Sequence, residues 1–231
     1  MIRPGWYQAF LFFGAVLSFA MILRMTNRDR RLAWIYLGGF IGAFAGAKLA
    51  FFVVDGWAAW DSPQPWQALI TGKSILGALP GGYVGVEIAK KLTGYDKPTG
   101  DYFALVAPLG ILIGRVGCLL HGCCPGRIFD QPGFSIPDIH GVLRWPAVPV
   151  EMAFNLVAFF VFLWMRRTHR LPGQHFHIYM MAYGIFRMLH EPLRETVRLN
   201  TYVTGYGLVA CAVFTFGLFG FLRRQQSIIA N

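Results

Sequence analysis

The sequence predicts an all-α integral membrane protein: seven transmembrane helices in a single domain over residues 1–231, with the N-terminus outside and the C-terminus cytoplasmic. Three observations predict it. The first is composition. Of 231 residues, 55% are hydrophobic and 14% charged, with a mean hydropathy of +0.48, which is too apolar for an ordinary soluble domain. The second is a series of seven apolar runs, at 8–23, 32–54, 74–89, 102–120, 148–165, 176–189 and 204–222. The third is where the basic residues fall. With the N-terminus outside, twelve of the 21 Lys and Arg lie in inner connections and six in outer ones, the bias that orients a polytopic chain. That distribution also accounts for the net charge of +10. Topology and anionic lipid explain it, and no nucleic-acid partner is implied.

Taken in order, the first run is followed by Arg24, Arg28, Arg30 and Arg31 and by no small-residue cleavage pattern, so it reads as a retained anchor. Several runs fall short of the roughly 20 residues of a full span, and their ends draw on flanking aromatic residues and glycines. Lys48 in the second run either snorkels outward or pairs with a carboxylate. The third run contains Pro80, Gly81 and Gly82 in succession. These either break the helical ladder or let another backbone approach closely, and a broken backbone at membrane depth must be buried in protein or line a cavity. The inner connections, such as RMTNRDRR and RRTHRLPGQH, are short and basic. The outer ones, DGWAAWDSPQPWQ and IFDQPGFSIPDIHGVLRWP, are longer. Trp57, Trp60, Trp66 and Trp145 are expected there as headgroup-level anchors. Long loops on one face, beside spans that carry charge, point to a site opening outward.

The chemistry concentrates in GRVGCLLHGCCPGR, Gly114 to Arg127. An ionisable residue costs about 2.5–3.5 kcal/mol at the centre of an inserted helix, so Arg115 marks a functional site. In the sixth run, YGIFRMLHEPLRE places Arg187 and Glu191 at i, i+4, with Tyr183 one turn before and Arg194 beyond. Either Arg187 and Glu191 neutralise each other to permit insertion, or several guanidiniums converge on a phosphate, whose oxygens their planar forks match. Arg115, Arg144, Arg187 and Arg194 all approach the outer face, which favours an anionic lipid headgroup. Glu151, after RWPAVPV, is either the counter-ion of one of these arginines or an acid or base with a raised pKa. Cys118, Cys123 and Cys124 cluster in sequence with His121, while Cys211 is a small filler in the last run. Cys-x2-His-x-Cys-Cys is not a standard zinc spacing and has no second half-site, so no metal and no cofactor are expected. A thiol nucleophile beside His121, a redox pair, or compact loop residues under the headgroup site remain as readings of the cysteines.

Three blocks in order, GRVGCLLHGCCPGR, RWPAVPVE and YGIFRMLHEPLRE, resemble the prolipoprotein diacylglyceryl transferase family, over most of the chain from about Gly46 onward. Each block is loose alone and specific in combination. The resemblance implies seven spans, a bacterial inner-membrane location and a site facing the periplasm. It implies transfer of a diacylglyceryl group from phosphatidylglycerol to a lipobox cysteine thiol, with release of glycerol phosphate. Matched by position, Arg115, Gly117, Gly126, Arg144, Glu151, Tyr183, Arg187 and Arg194 would bind substrate. Arg115 and Arg187 would hold the headgroup and Glu191 would order Arg187. The chain departs from the family where an essential histidine precedes a Gly-Gly pair, here Pro80, and at an asparagine and a glutamate, here Cys118 and Cys123. The lipid-phosphate residues survive while the acid–base residues change.

The resulting expectation is a transferase that binds phosphatidylglycerol or a similar phospholipid and moves a lipid-derived group to an acceptor the sequence does not identify. Its catalytic candidates are His121, Cys118, Cys123, His190 and Glu191, with a histidine as base. Two alternatives stand beside it: a non-catalytic phospholipid-binding or transporter-like protein, and a thiol-dependent enzyme using Cys118, His121, Cys123 and Cys124.

Overall fold

Helices account for the six later apolar runs in the computed structural model, which describes residues 9, 12–14, 16–20, 24, 29–60, 65–131, 133–196 and 204–229. Much of the first run, 8–23, lies outside the described residues, and those described within it are helical. The helices that follow are α1 (Arg31–Val54), α2 (Gly56–Ala59), α3 (Pro65–Thr71), α4 (Ile75–Thr93), α5 (Gly100–His121), α6 (Ala147–Arg167), α7 (His175–His190) and α8 (Gly205–Ile229). A two-stranded antiparallel ribbon, β1 (Ile136–Pro137) with β2 (Leu143–Arg144), lies between α5 and α6. Among the described residues, α1, α5, α6 and most of α8 are long and apolar enough to cross a bilayer by length and composition. The chain is a multi-pass membrane protein. Helix α4 carries Glu87, Lys90 and Lys91 in its second half, and α7 has only 16 residues.

The ends of these helices follow from local chemistry. Before α1, the Asp29 carboxylate accepts from the Arg31 backbone N–H at 2.9 Å and from its guanidinium at 2.8 Å, placing an anion at the positive end of the helix dipole. Helices α4 and α5 both stop at a glycine in the left-handed region, Gly94 (φ 61°) and Gly122 (φ 70°), where a side chain would be strained. Lys90 and Lys91, in the last turn of α4, and Arg166 and Arg167, in the last turn of α6, suit the negative ends of their helices.

The chain falls into two compact units. One takes in Met1–Met21, Thr99–Phe176 and Leu189–Thr196; the other takes in Ile22–Pro98, His177–Met188 and Val197–Asn231. In the second unit α1 and α4 pack antiparallel along facing glycines: Gly38, Gly42 and Gly46 on α1 against Gly85, Gly81 and Gly77 on α4. A Cβ on Gly42 would stand 2.3 Å from the Gly81 carbonyl oxygen, and one on Gly77 2.1 Å from that of Gly46. Small residues spaced by four let helix backbones touch in lipid, where dispersion rather than the hydrophobic effect holds helices together. Pro80 therefore does not break its helix: α4 runs unbroken through it, and the glycines around it serve close approach.

Lys48 neither snorkels nor meets a carboxylate. Its ammonium donates to the carbonyls of Leu69 (2.8 Å) and Ile70 at the end of α3, a cation satisfying C-terminal carbonyls. Tyr206 on α8 donates its hydroxyl to Asp55 at 2.7 Å. Trp57, Trp60 and Trp66 are exposed, as anchors would be. Trp145 instead packs within the loop between α5 and α6. Cys211 is exposed on α8 and fills no core gap.

In the first unit α5 and α6 pack together, and Asp101 fixes the start of α7. Its carboxylate accepts from the Gly173 backbone N–H at 2.7 and 2.8 Å, and lies 3.4 Å from the buried His175 Nδ1.

Candidate functional site

The end of α5 collects three cysteines into one place. After Gly122 the chain reverses, with the Cys123 N–H bonded to the Cys118 carbonyl (3.1 Å) and the Gly122 N–H to that of Leu119 (3.3 Å), a pairing that closes a helix C-terminus. Cys124 then takes a left-handed backbone, φ 60°, unusual for a residue with a side chain. The result brings the sulfurs of Cys118, Cys123 and Cys124 within 4.8 Å of one another. Cys118 is buried and the other two are half-buried. The Arg115 guanidinium donates to the Cys118 sulfur at 3.8 Å. The Cys124 thiol is held below its ordinary pKa, first by the S–H groups of Cys118 and Cys123 and then by Arg115 and Arg194. His121, the last residue of α5, is exposed and is not a member of the sulfur trio.

One turn before Cys118, Arg115 points into the packing of α5 on α6. Its Nη2 lies 2.9 and 2.8 Å from the two oxygens of Glu151, and Arg194 Nη1 lies 3.4 Å from the same carboxylate. Arg115 and Arg194 are 6% and 7% exposed and Glu151 is fully buried. Glu151 is thus a counter-ion, shared by two arginines. Asn155, one turn further along α6, donates to the Glu151 backbone carbonyl at 2.8 Å. Two guanidiniums and one carboxylate carry a net positive charge where few waters reach, and Coulomb interactions are stronger there than in water.

The loop from Gly126 to Trp145 is stitched to the segment after α7. Gly126 bridges to Arg194 and Ile128 to Arg144, while the Arg127 N–H bonds the Leu193 carbonyl (3.0 Å) and the Glu195 N–H that of Pro125 (3.3 Å). Gly126 is required by space: a Cβ would stand 2.2 Å from the Trp145 carbonyl oxygen. Arg144 is bound into this loop, pairing with Asp138 and Glu195 and donating to the Gly126 carbonyl at 3.2 Å. The Arg144 guanidinium holds the Asp138 carboxyl below its ordinary pKa, and Asp138 holds Arg144 above its own. The Trp145 indole N–H donates to Nε2 of the buried His190 at 2.9 Å. Indole nitrogen is a donor only, so His190 carries its proton on Nδ1.

Of the residues singled out from sequence, the first unit brings together Arg115, Gly117, Cys118, Cys123, Cys124, Gly126, Glu151 and Arg194, with Arg144 in the adjoining loop and His190, the last residue of α7, bonded to that loop. Glu191 is buried in a 3-10 turn, Glu191–Leu193, that continues α7. Tyr183 and Arg187, both buried, belong to the second unit, where the Tyr183 ring packs against Tyr179 (6.0 Å) and Phe186 (6.2 Å). The sequence reading did not single out Asp138, Glu195 or Asn155. Asp138 sits six residues before Arg144, a spacing a short hairpin brings together, and that was the available signal.

A family model described as prolipoprotein diacylglyceryl transferase matches residues 2–223. The chain belongs to this family. It is 31% identical over 173 residues to the phosphatidylglycerol–prolipoprotein diacylglyceryl transferase of Clostridium tetani, covering 70% of this chain and 68% of that protein. It is 28% identical over 214 residues to the protein so named in Vibrio vulnificus, covering 84% and 76%. To that of Dehalococcoides mccartyi it is 29% identical over 202 residues, covering 79% and 75%. The family is one of transferases.

Proposed function

We propose that this chain takes phosphatidylglycerol as donor and passes its diacylglyceryl group to a prolipoprotein thiol, at the periplasmic face of a bacterial inner membrane that it spans seven times with its N-terminus outside. The observation that carries the reading is the buried Arg115–Glu151–Arg194 cluster, in a chain whose relatives are named for that donor and acceptor. In the reaction a sulfur–carbon bond forms as the carbon–oxygen bond to the phosphate breaks, and glycerol phosphate departs with the added negative charge. Fixed guanidiniums stabilise charge that develops on a leaving group. Glu151 orients Arg115 and Arg194 for that task.

The thiol proton needs a base. The Nε2 lone pair of His190 is engaged by the Trp145 indole, which makes His190 a strut for the loop and leaves His121 as the proposed base. Pro80, in the place of the family's histidine, has no proton to exchange. The test is phosphatidylglycerol retention and glycerol phosphate release by purified full-length protein supplied with a prolipoprotein peptide. Arg115→Ala is expected to lose both by roughly 100-fold, and Arg115→Lys to recover little because the planar fork is gone. Wild-type retention in both variants would overturn the assignment of the donor site.

A further inference from the structure

We propose that Cys118, Cys123 and Cys124 form a three-thiolate site for a thiophilic d10 cation, with zinc(II) the best match. Sequence spacing argued against a metal because zinc sites are ordinarily built from two separated half-sites. Here one helix end does the work of both. Cys118 comes from the last turn of α5, Cys123 from the residue after the left-handed Gly122, and Cys124 from a second left-handed position. A non-glycine residue held at positive φ is strained and persists where the surroundings require it. This strain turns the third sulfur toward the other two.

The dimensions fit. The three sulfurs lie within 4.8 Å of one another. Zinc at about 2.3 Å from each thiolate spaces them roughly 3.8 Å apart in tetrahedral geometry, a contraction within the reach of side-chain rotation. A disulfide would use two of the sulfurs and leave the third odd, whereas a cation uses all three. Charge also fits. Three thiolates and a divalent cation carry one net negative charge, and the Arg115 guanidinium stands beside Cys118. The Arg115 N–H already directed at the Cys118 sulfur, at 3.8 Å, is the kind of outer contact that orients a ligand. Soft thiolate donors select zinc or copper(I) over hard cations, and a three-ligand site leaves a coordination position open. Each metal–sulfur bond replaces an S–H bond, so binding releases the thiol protons to buffer.

The experiment uses full-length protein in detergent, reduced and freed of metal, titrated with Cd2+ as the spectroscopic probe. The expected result is a thiolate-to-cadmium charge-transfer band that saturates at a single equivalent, accompanied by proton release. Alkylation mapped by mass spectrometry, with and without cadmium, should then show cadmium-dependent protection of Cys118, Cys123 and Cys124, while the labelling of Cys211, on α8 and apart from the trio, does not change on adding the metal. The double variant Cys123→Ser/Cys124→Ser should lose the band. Because the wild-type footprint needs no substitution, a misfolded variant does not decide the outcome. No band in reduced protein, protection of Cys211 equal to the other three, or a disulfide between two of the three that returns without cadmium uptake would each overturn the site. Phosphatidylglycerol retention in the same preparation reports separately on the donor site.

Discussion

Along α1 and α4 the contact is made by what is absent: a single Cβ at Gly42 would come within 2.3 Å of the Gly81 carbonyl oxygen. Where α5 packs on α6 the contact is made by what is present, two guanidiniums on one fully buried carboxylate. Both regions join helices where the hydrophobic effect offers little between them. They fail in opposite ways. The glycine seam fails when volume is added and is indifferent to salt and pH. The charged cluster tolerates volume better than it tolerates losing a partner, because each buried charge relies on the others. The seam therefore suits a scaffold, and the cluster suits a place where an anion comes and goes.

The largest effect is expected from removing the shared carboxylate. Glu151→Ala leaves two buried guanidiniums without their counter-ion, a change that typically costs about 3–5 kcal/mol. It should show as a marked fall in the thermal midpoint of the detergent-solubilised protein. Glu151→Gln, which keeps the shape and loses the charge, should fall nearly as far. A wild-type midpoint for both would mean that the pair is not what closes α5 on α6. Next comes the seam. Gly42→Ala should cost about 1–3 kcal/mol through overpacking against backbone, by the same amount in low and high salt. A salt-dependent or negligible loss would erase the contrast.

The smallest effect lies in the loop. The Asp138 carboxyl titrates below its ordinary value of 3.8 in the folded chain. Its contribution is complete above that value and is lost as pH falls through the lower folded one. Limited proteolysis of the loop should therefore accelerate in that acid window, and Asp138→Asn should remove the pH dependence. An unchanged acid response in Asp138→Asn would assign it to another group.

What could be read in the sequence follows from range. The bounds of α1, α5 and α6 match their apolar runs within two residues, since a bilayer sets length and hydropathy locally. Glu151 was visible as a carboxylate in an apolar setting, and pairing with an arginine was one of its two readings. Its partners were not visible, because they stand 36 and 43 residues away in the chain. Arg144 was grouped with the headgroup arginines; Asp138, six residues before it, was within reach of a hairpin reading, whereas Glu195, 51 residues away in the chain, was not. Pro80 drew attention as a break. The better signal was the four-residue glycine spacing on both sides of the seam, Gly38, Gly42 and Gly46 with Gly77, Gly81 and Gly85. It was readable, but only when the two runs were compared with each other. The cysteine trio was hidden for another reason: it depends on left-handed backbone at Gly122 and Cys124, which residue types announce only weakly.

The order in which the charged cluster is synthesised has a consequence for biogenesis. Arg115 leaves the ribosome 36 residues ahead of Glu151. An α5 that partitioned into lipid alone would carry its guanidinium uncompensated, at a cost of about 2.5–3.5 kcal/mol at the helix centre. Entering together with α6, as a hairpin, it brings its own neutralising carboxylate. Arg194, 43 residues after Glu151, arrives last, and its docking completes the cluster only after both helices are in place.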